Sequence, residues 1–390
     1  MQANSVLFPC FQPIVSVASG WIVGYEVLAR QYDDRQNIVS AGQLFSSTDL
    51  PAEQLREVDR QVRWQALQKF ANLHDHCYLT LNISAAWIDY VTDIRRLPTL
   101  EMLKQLDIDK SRIIIEITEA KADIDKLKEV VNIYRREGLR VAIDDFGSGF
   151  SQLERVIALN PDIIKIDMRL FKMAVKGGVA RDVVHLLTRF GKRLGSQVVC
   201  EGVQTDDEFM FGLNSGAQFM QGFLFAGAEM EFIEADKFQR HIASLRKKFL
   251  NRKLQEELLK IDKTRTVTDL LYKLKAVLQD DFNLNALVSW DFEGYGVLRF
   301  YLCNSEGEQI SPDFNFSDGQ WFNDPSKIGF NWSWRPYFYQ IIALESRGDC
   351  DQVITSDHYK DFDSGLLCKT LSLTLDANRI LMVDIKSDRD

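Results

Sequence analysis

The stretch Val141-Ala142-Ile143-Asp144-Asp145-Phe146-Gly147-Ser148-Gly149-Phe150 sets the reading of the whole chain. Its first three residues are apolar and largely β-branched, the composition of a buried strand end. Two adjacent carboxylates follow, and then two glycines, which reach backbone angles closed to other residues. A pair of acids at a strand mouth is costly unless a positive charge lies between them. A hard divalent cation, which takes oxygen ligands, would serve. An Asp/Gly surface turn accounts equally well for this stretch taken alone, so the rest of the chain decides.

Outward from it, strand-like runs recur at 11–17, 22–30, 78–84, 112–118, 140–146, 163–167, 197–201 and 220–225. Amphipathic stretches at 53–73, 99–106, 123–136, 179–194 and 206–214 lie between most of them. The longest carries Leu55, Val58, Val62, Ala66, Leu67 and Phe70 at helical spacing. Alternation of strand and helix predicts βα units, an α/β fold and a mainly parallel sheet. The number of strands over this length suits a closed (β/α)8 barrel. An open doubly wound sheet is the alternative.

From Glu231 the pattern changes. Phe238, Ile242, Leu245 and Phe249, then Leu250, Leu254, Leu258 and Ile261, recur at helical spacing, and no Pro or Gly interrupts 230–290. This predicts long helices connecting two domains. Beyond them, 285–290 and 297–303 read as strands and 368–375 with 379–385 as a hairpin. A helix at 339–346 follows the aromatic cluster Trp332, Trp334, Tyr337, Phe338 and Tyr339, giving a small α+β domain. A chain of 390 residues is expected to hold two domains. Their bounds fall at 1–238 and 285–390, with a helical connector at 239–284.

Composition narrows the function. The 56 acidic and 47 basic residues give a net charge of −9, which argues against a nucleic-acid polymer as partner. A small anionic ligand held through a metal remains compatible with it. The six cysteines form no C-x-x-C pair, so zinc is not expected, and reduced thiols of a cytoplasmic protein are. The first residues lack the basic and apolar regions of a signal peptide. No apolar run approaches the roughly 20 residues that span a bilayer, so no membrane insertion is expected.

Polar residues mark the ends of the barrel runs: Glu26, Asn82, Glu116 with Glu119, Asp144 with Asp145, Lys165 with Asp167, Glu201 and Gln221. Barrel active sites assemble at the strand C-termini from several strands, and a lone buried charge is costly. The acids and Asn82 offer oxygen ligands only, which favours Mg²⁺ or Mn²⁺ over Zn²⁺. Asp144 could bridge two ions, with Asp145 completing a second site. Lys165 is a point charge suited to a phosphate or an attacking hydroxide, and Arg30 offers a bidentate fork for a phosphate.

Seven segments then fall in order over residues 8–227: Tyr25-Glu26-Val27-Leu28-Ala29-Arg30, Asn82-Ile83-Ser84, Glu116-Ile117-Thr118-Glu119, Asp144-Asp145-Phe146-Gly147-Ser148-Gly149, Lys165-Ile166-Asp167, Glu201-Gly202-Val203 and Gln221-Gly222-Phe223. Together they resemble the EAL family of cyclic di-GMP phosphodiesterases. The resemblance implies a modified (β/α)8 TIM-type barrel whose first strand is antiparallel. It also implies hydrolysis of cyclic di-GMP to linear pGpG with one or two Mg²⁺ or Mn²⁺ ions. By matched position Glu26, Asn82, Glu116 and Asp144 should hold the first metal, and Asp145 and Asp167 the second or its water. Lys165 should position the nucleophilic water, Glu201 should act as general base or second-metal ligand, and Glu119 should brace the loop after Asp145. Leu28, Arg30 and Gln221 should contact the substrate.

Val27 replaces the Ala of the family's signature tripeptide, and Gln204 stands where a second Glu is usual. A non-catalytic cyclic di-GMP receptor signalling through the connector is the rival reading; the complete catalytic set favours the enzyme. The C-terminal region resembles PAS/Cache-like sensory modules. Within it, Asn331-Trp332-Ser333-Trp334-Arg335-Pro336-Tyr337-Phe338 resembles the Arg-Pro-Tyr helix start of carboxylate-sensing Cache domains. That implies a small carboxylate ligand at Arg335, with Trp334 and Tyr337 beside it. An aromatic core on which Arg335 stacks is the plainer alternative. The connector stripe and the C-terminal domain also suit assembly into a homodimer.

Overall fold

The apolar runs become strands, the amphipathic stretches become helices, and their alternation sets the architecture. The computed structural model describes residues 7–46, 51–73, 76–84, 96–118, 123–147, 152–280, 287, 290, 292, 294–317, 319–349 and 351–387. It divides into two units, Met1–Arg252 and Lys253–Asp390.

In the first unit, β1 (Phe8–Ser16), β2 (Ile22–Tyr32), β3 (Ile38–Ser40), β4 (Tyr78–Ser84), β5 (Ile113–Thr118), β6 (Arg140–Phe146), β7 (Ile163–Ile166), β8 (Gln197–Cys200) and β9 (Phe219–Met220) form one sheet. The order is β1-β9-β8-β7-β6-β5-β4-β2-β3, and β1 also pairs with β2. That second pairing closes eight strands into a barrel and leaves β3 outside the ring. β1 is antiparallel to both β2 and β9, whereas the pairs from β2–β4 round to β8–β9 are parallel. The result is the closed, mixed barrel expected from the sequence, not the open sheet.

Helices α1 (Ala52–Ala71), α2 (Pro98–Gln105), α3 (Ile124–Arg136), α4 (Gln152–Leu159), α5 (Met168–Lys176), α6 (Val179–Leu194) and α7 (Asp206–Ser215) accompany the strands. Leu127, Val130 and Val131 of α3, Phe171 of α5 and Val184 of α6 share one core with Ile115, Ile143 and Ile166. α4 and α5 are additional to the helices expected from the sequence, and Asp167 is not the end of a strand. Asp167 is instead the N-cap of α5, with Oδ1 accepting the N–H groups of Arg169 and Leu170 at 3.1 Å each. The run 220–225 is likewise not a strand. β9 stops at Met220, and Gly222 turns the chain with φ +152°.

A single 42-residue helix, α8 (Gln239–Asp280), stands where long helices were expected. Its Ile242 and Leu245 belong to the core of the first unit, and its Val267, Leu270, Leu271, Leu274 and Leu278 to that of the second.

The second unit is an α+β structure. Its strands β10 (Val297–Cys303), β11 (Asp313–Ser317), β12 (Gln320–Asp324), β13 (Ile354–Thr355), β14 (Tyr359–Lys360), β15 (Leu367–Asp376) and β16 (Arg379–Lys386) pair antiparallel throughout. The order is β12-β11-β10-β16-β15-β13, with β14 also on β15. The expected 368–375/379–385 hairpin is β15–β16. The expected helix at 339–346 begins earlier, as α9 (Pro336–Glu345), because proline fits the first helical turn. The expected strand at 285–290 lies largely outside the described residues. Alternation divides the sheet: Leu371, Leu373, Leu375, Leu381 and Val383 share a core with the end of α8, while Thr370, Ser372 and Asp384 are buried outside that cluster. Arg299 is buried beside Asp384, with Nε 3.2 Å from its Oδ2, and pairs through Nη1 with Asp363 at 2.9 Å.

At Gly222, an added Cβ would lie 2.2 Å from the carbonyl oxygen of Val203. Gly222→Ala is therefore expected to destabilise the protein by about 2 kcal/mol or more, from left-handed strain and overpacking together. Denaturant unfolding checks this, and an unchanged midpoint would contradict it.

Candidate functional site

Strand side chains alternate between the barrel interior and the surrounding helices. Ile14, Tyr78, Ile114, Ala142, Ile163 and Val199 form a small apolar plug. Two residues further along the parallel strands come Thr80, Glu116, Asp144, Lys165 and Glu201. The same interior face therefore turns from apolar to ionic one layer nearer the strand C-termini, the end where barrel sites assemble. The reversed β1 reaches that layer two residues before Ile14, at Gln12, whose register partner is Glu26.

Lys165 is the centre of this layer. Its Nζ lies 2.9 Å from Glu26 Oε2, 2.6 Å from Glu201 Oε1 and 3.2 Å from Asp144 Oδ1, and it also pairs with Glu116 Oε1. Burial opposes the ammonium charge, but Asp144, Glu116, Glu201 and Glu26 outweigh it and hold Lys165 well above the usual lysine range. Burial raises Glu116, and the charge of Glu26 adds to that. Burial also raises Glu201, against the opposing pull of Lys165.

The oxygens suit a hard cation. Asn82 Nδ2 donates to Glu26 Oε1 at 3.1 Å, which turns its Oδ1 the other way. Asn82 Oδ1 and Glu116 Oε2 are both buried without a hydrogen-bond partner among the described residues. Buried oxygens with no donor are the donor set a divalent cation satisfies. Ligand atoms of Glu26, Glu116 and Glu201 lie within 4.8 Å of one another, as do those of Asp144, Asp145 and Glu201. Two groups sharing Glu201 have the form of a site for one or two ions.

Adjacent strand residues normally face opposite ways, yet Asp144 and Asp145 share this cluster. The β6–β7 register shifts between Ile143 and Phe146, and Asp145 adopts φ +54°. That irregularity re-aims the second carboxylate. Burial, then Asp144 and Asp167, push the Asp145 carboxyl up to about 6. Asp167 is buried and electrostatically coupled to Asp145, with one oxygen committed to the α5 cap. Leu28 and Arg30 follow Glu26 at the strand period, half-buried on the same face. Arg30 Nη1 donates to the Ala29 carbonyl at 3.0 Å. Gln221 is buried and donates through Nε2 to Glu26 Oε2 at 2.7 Å and to Gln12 Oε1 at 3.1 Å.

Gln12 is the site residue the sequence reading missed. Its signal was the strand period applied backwards from Ile14 on the antiparallel strand. Glu119 lies outside the described residues. Gln204 is exposed, and its backbone N–H donates to Glu208 Oε2 at 2.6 Å.

In the second unit, the Arg335 guanidinium stacks at 4.7 Å from the Trp332 ring centre, 5.2 Å from Trp334, 5.2 Å from Tyr359 and 5.9 Å from Tyr337. Its Nη1 donates to the Tyr337 hydroxyl at 2.9 Å, and its Nε is buried without a hydrogen-bond partner among the described residues. The aromatic stacking is the plainer of the two expectations for this arginine. It does not exhaust the donors of the guanidinium.

Residues 1–228 match the EAL domain family, and residues 231–388 match the EAL-domain associated signalling protein domain. The chain is 27% identical over 394 residues to the uncharacterized EAL-domain containing protein YkuI of Bacillus subtilis, covering 97% of this chain and 94% of that one. The crystal structure of YkuI in complex with substrate cyclic di-GMP and calcium aligns with a TM-score of 0.86 at 25% identity, covering 98% and 97% of the two chains. The cyclic di-GMP phosphodiesterase PdeL of Escherichia coli is 24% identical over 228 residues, which are 57% of this chain and 62% of that one. No helix among the described residues is long and apolar enough to cross a membrane. Cys10, Cys200, Cys303 and Cys368 are free and buried, and Cys77 is buried as well.

Removing the central ammonium would leave four carboxylates facing one another. Lys165→Met is expected to cost about 3–5 kcal/mol of stability, the range for breaking a buried ion pair from one side. Added Mg²⁺ or Ca²⁺ is expected to restore part of the loss. Thermal melting with and without the ion measures both effects; an unshifted melting point in the variant would contradict the central role given to Lys165.

Proposed function

Because the chain belongs to the EAL domain family, we propose that it is a metal-dependent phosphodiesterase that opens cyclic di-GMP to linear pGpG. The observation that carries this reading is the buried layer around Lys165, where acids on four different strands and loops converge with donor-free oxygens of Asn82, Glu116 and Gln221. Glu26, Asn82, Glu116 and Asp144 would hold a first Mg²⁺ or Mn²⁺, and Asp145 with Asp167 a second ion or its water. A bound cation supplies a lowered water pKa and neutralises phosphate charge.

The chain's own groups do the rest. Glu201 takes the proton of the attacking water, and burial makes its carboxylate a stronger proton acceptor than a free one, against the pull of Lys165. Lys165 holds the water's oxygen toward phosphorus while balancing the surrounding acids. That oxygen joins one phosphorus as a ring P–O bond breaks, the leaving ribose oxygen takes up a proton to become a hydroxyl, balancing the one passed to Glu201, and the dinucleotide becomes linear. Arg30 grips phosphate, while Leu28 and Gln221 line the bound nucleotide. The exposure of Gln204 suggests that the missing family Glu costs little.

Within the second unit, residues 285–390 are read as a PAS/Cache-like regulatory domain, joined by the connector 239–284 to a barrel domain of residues 1–238. Arg335, with Trp334 and Tyr337, would take a small carboxylate, using the guanidinium donors left over from stacking. The protein would work in the cytoplasm as a homodimer, its regulatory ligand favouring one of two arrangements of the connector.

Incubation with cyclic di-GMP and Mg²⁺, followed by chromatography of the products, is expected to yield pGpG. Asp144→Ala or excess EDTA should abolish it, and Glu201→Gln should remove turnover while keeping nucleotide binding. Binding without turnover by the intact chain would return the receptor reading. Gln204→Glu is expected to change the rate by less than about two-fold, in line with surface substitutions away from a site; a large gain would give the lost charge a role. A screen of small carboxylates should raise the melting temperature of the intact protein and not of Arg335→Ala. A screen with no arginine-dependent shift would leave Arg335 a stacking residue.

A further inference from the structure

Gln221 Nε2 carries two hydrogens and both are used, one on Glu26 Oε2 at 2.7 Å and one on Gln12 Oε1 at 3.1 Å. Its backbone is fixed as well, since its N–H donates to Cys200 O and its carbonyl accepts from Val203 N, each at 3.0 Å. With the backbone held, χ1 and χ2 are confined to staggered wells, and the terminal amide torsion is the soft one. One acceptor would let the amide plane swing about a single bond; two fix the plane. Gln12 can be the second acceptor because its own amide is oriented by another group. Its Nε2 donates to the carbonyl of Ala226 at 3.3 Å, which turns its Oε1 toward Gln221. The chain of direction runs from the Ala226 carbonyl to Gln12 and from Gln12 to Gln221. It ends at Gln221 Oε1, which is buried without a hydrogen-bond partner among the described residues. An oriented, donor-free buried oxygen is an acceptor held ready for a cation or a ligand N–H or O–H.

We infer that Gln12 is a positioning residue of the active site, which fixes the Gln221 amide so that its oxygen is presented as an acceptor beside Glu26. This rests on the phosphodiesterase reading of the same site. Gln12 acts through Gln221, so the loss caused by removing Gln12 should vanish once Gln221 is gone. A merely structural role for Gln12 would produce the same loss in either background.

The experiment is a double-mutant cycle on the full chain, with Gln12→Met, Gln221→Ala and the pair. The methionine keeps the side-chain length and removes the accepting oxygen. Hydrolysis of cyclic di-GMP in Mg²⁺ and calorimetric binding of cyclic di-GMP in Ca²⁺ are both read. Gln12→Met is expected to lose roughly ten-fold in kcat/KM, the scale of losing one hydrogen bond, and the double variant should be no worse than Gln221→Ala. Additive losses, or wild-type kinetics in Gln12→Met, would overturn the inference. If Gln12→Met melts far below the wild type, Gln12→Asn, whose shorter stem withdraws the oxygen, replaces it in the same cycle. A loss that disappears in the Gln221→Ala background again supports the inference, and an additive loss or none again overturns it. If the wild type binds the dinucleotide and does not cleave it, the phosphodiesterase reading fails and the cycle is decided on affinity. A wild type that neither binds nor cleaves it overturns both.

Discussion

The Lys165 ammonium, buried among Glu26, Glu116, Asp144 and Glu201, is the interaction on which the catalytic end of the barrel depends. Without a cation at this point the four acids would face one another in a poorly hydrated space, and most would have to bind protons. A single positive charge does not neutralise four carboxylates. The layer therefore keeps an excess of negative charge and some unsatisfied oxygens, the condition in which a divalent cation binds well. The strand side chains one layer below it are apolar, so the ionic layer rests on an apolar plug.

The amide residues of the site work by direction more than by charge. Asn82 and Gln221 each donate to Glu26, and in each the carbonyl oxygen is left buried without a donor. Glu26 thus orients two neutral amides as well as contributing its own charge. The closing of the barrel by antiparallel β1–β2 pairing makes this possible, because it brings Gln12 and Glu26 into register. A parallel strand in the place of β1 could not supply Gln12 from the beginning of its run.

The second unit uses buried polarity differently. Arg299 is surrounded by Asp313, Asp361, Asp363 and Asp384, so its charge is compensated within the fold. Arg335 is held by aromatic faces and one hydroxyl, and its Nε has no hydrogen-bond partner among the described residues. Of the two arginines, only the second has the chemistry to recognise a further anion.

Sequence alone determined the barrel and most of its site. Alternating runs of period two and 3.6 name parallel βα units, and a polar residue at the end of each apolar run names the mouth where they converge. Glu26, Asn82, Glu116, Asp144, Lys165, Glu201 and Gln221 were all legible in this way. Three things were decided only by the tertiary structure. The neighbouring Asp144 and Asp145 join one cluster because a register shift and a left-handed Asp145 break the alternation that adjacency would impose. Asp167 caps a helix because Met168–Lys176 is helical, a short segment whose pattern was hidden by the strand before it. Gln12 enters the site because β1 runs backwards. A reversed strand presents its first residues, not its last, at the catalytic end; the family resemblance implied that reversal, but no local pattern in the sequence records the direction in which a strand will be laid down.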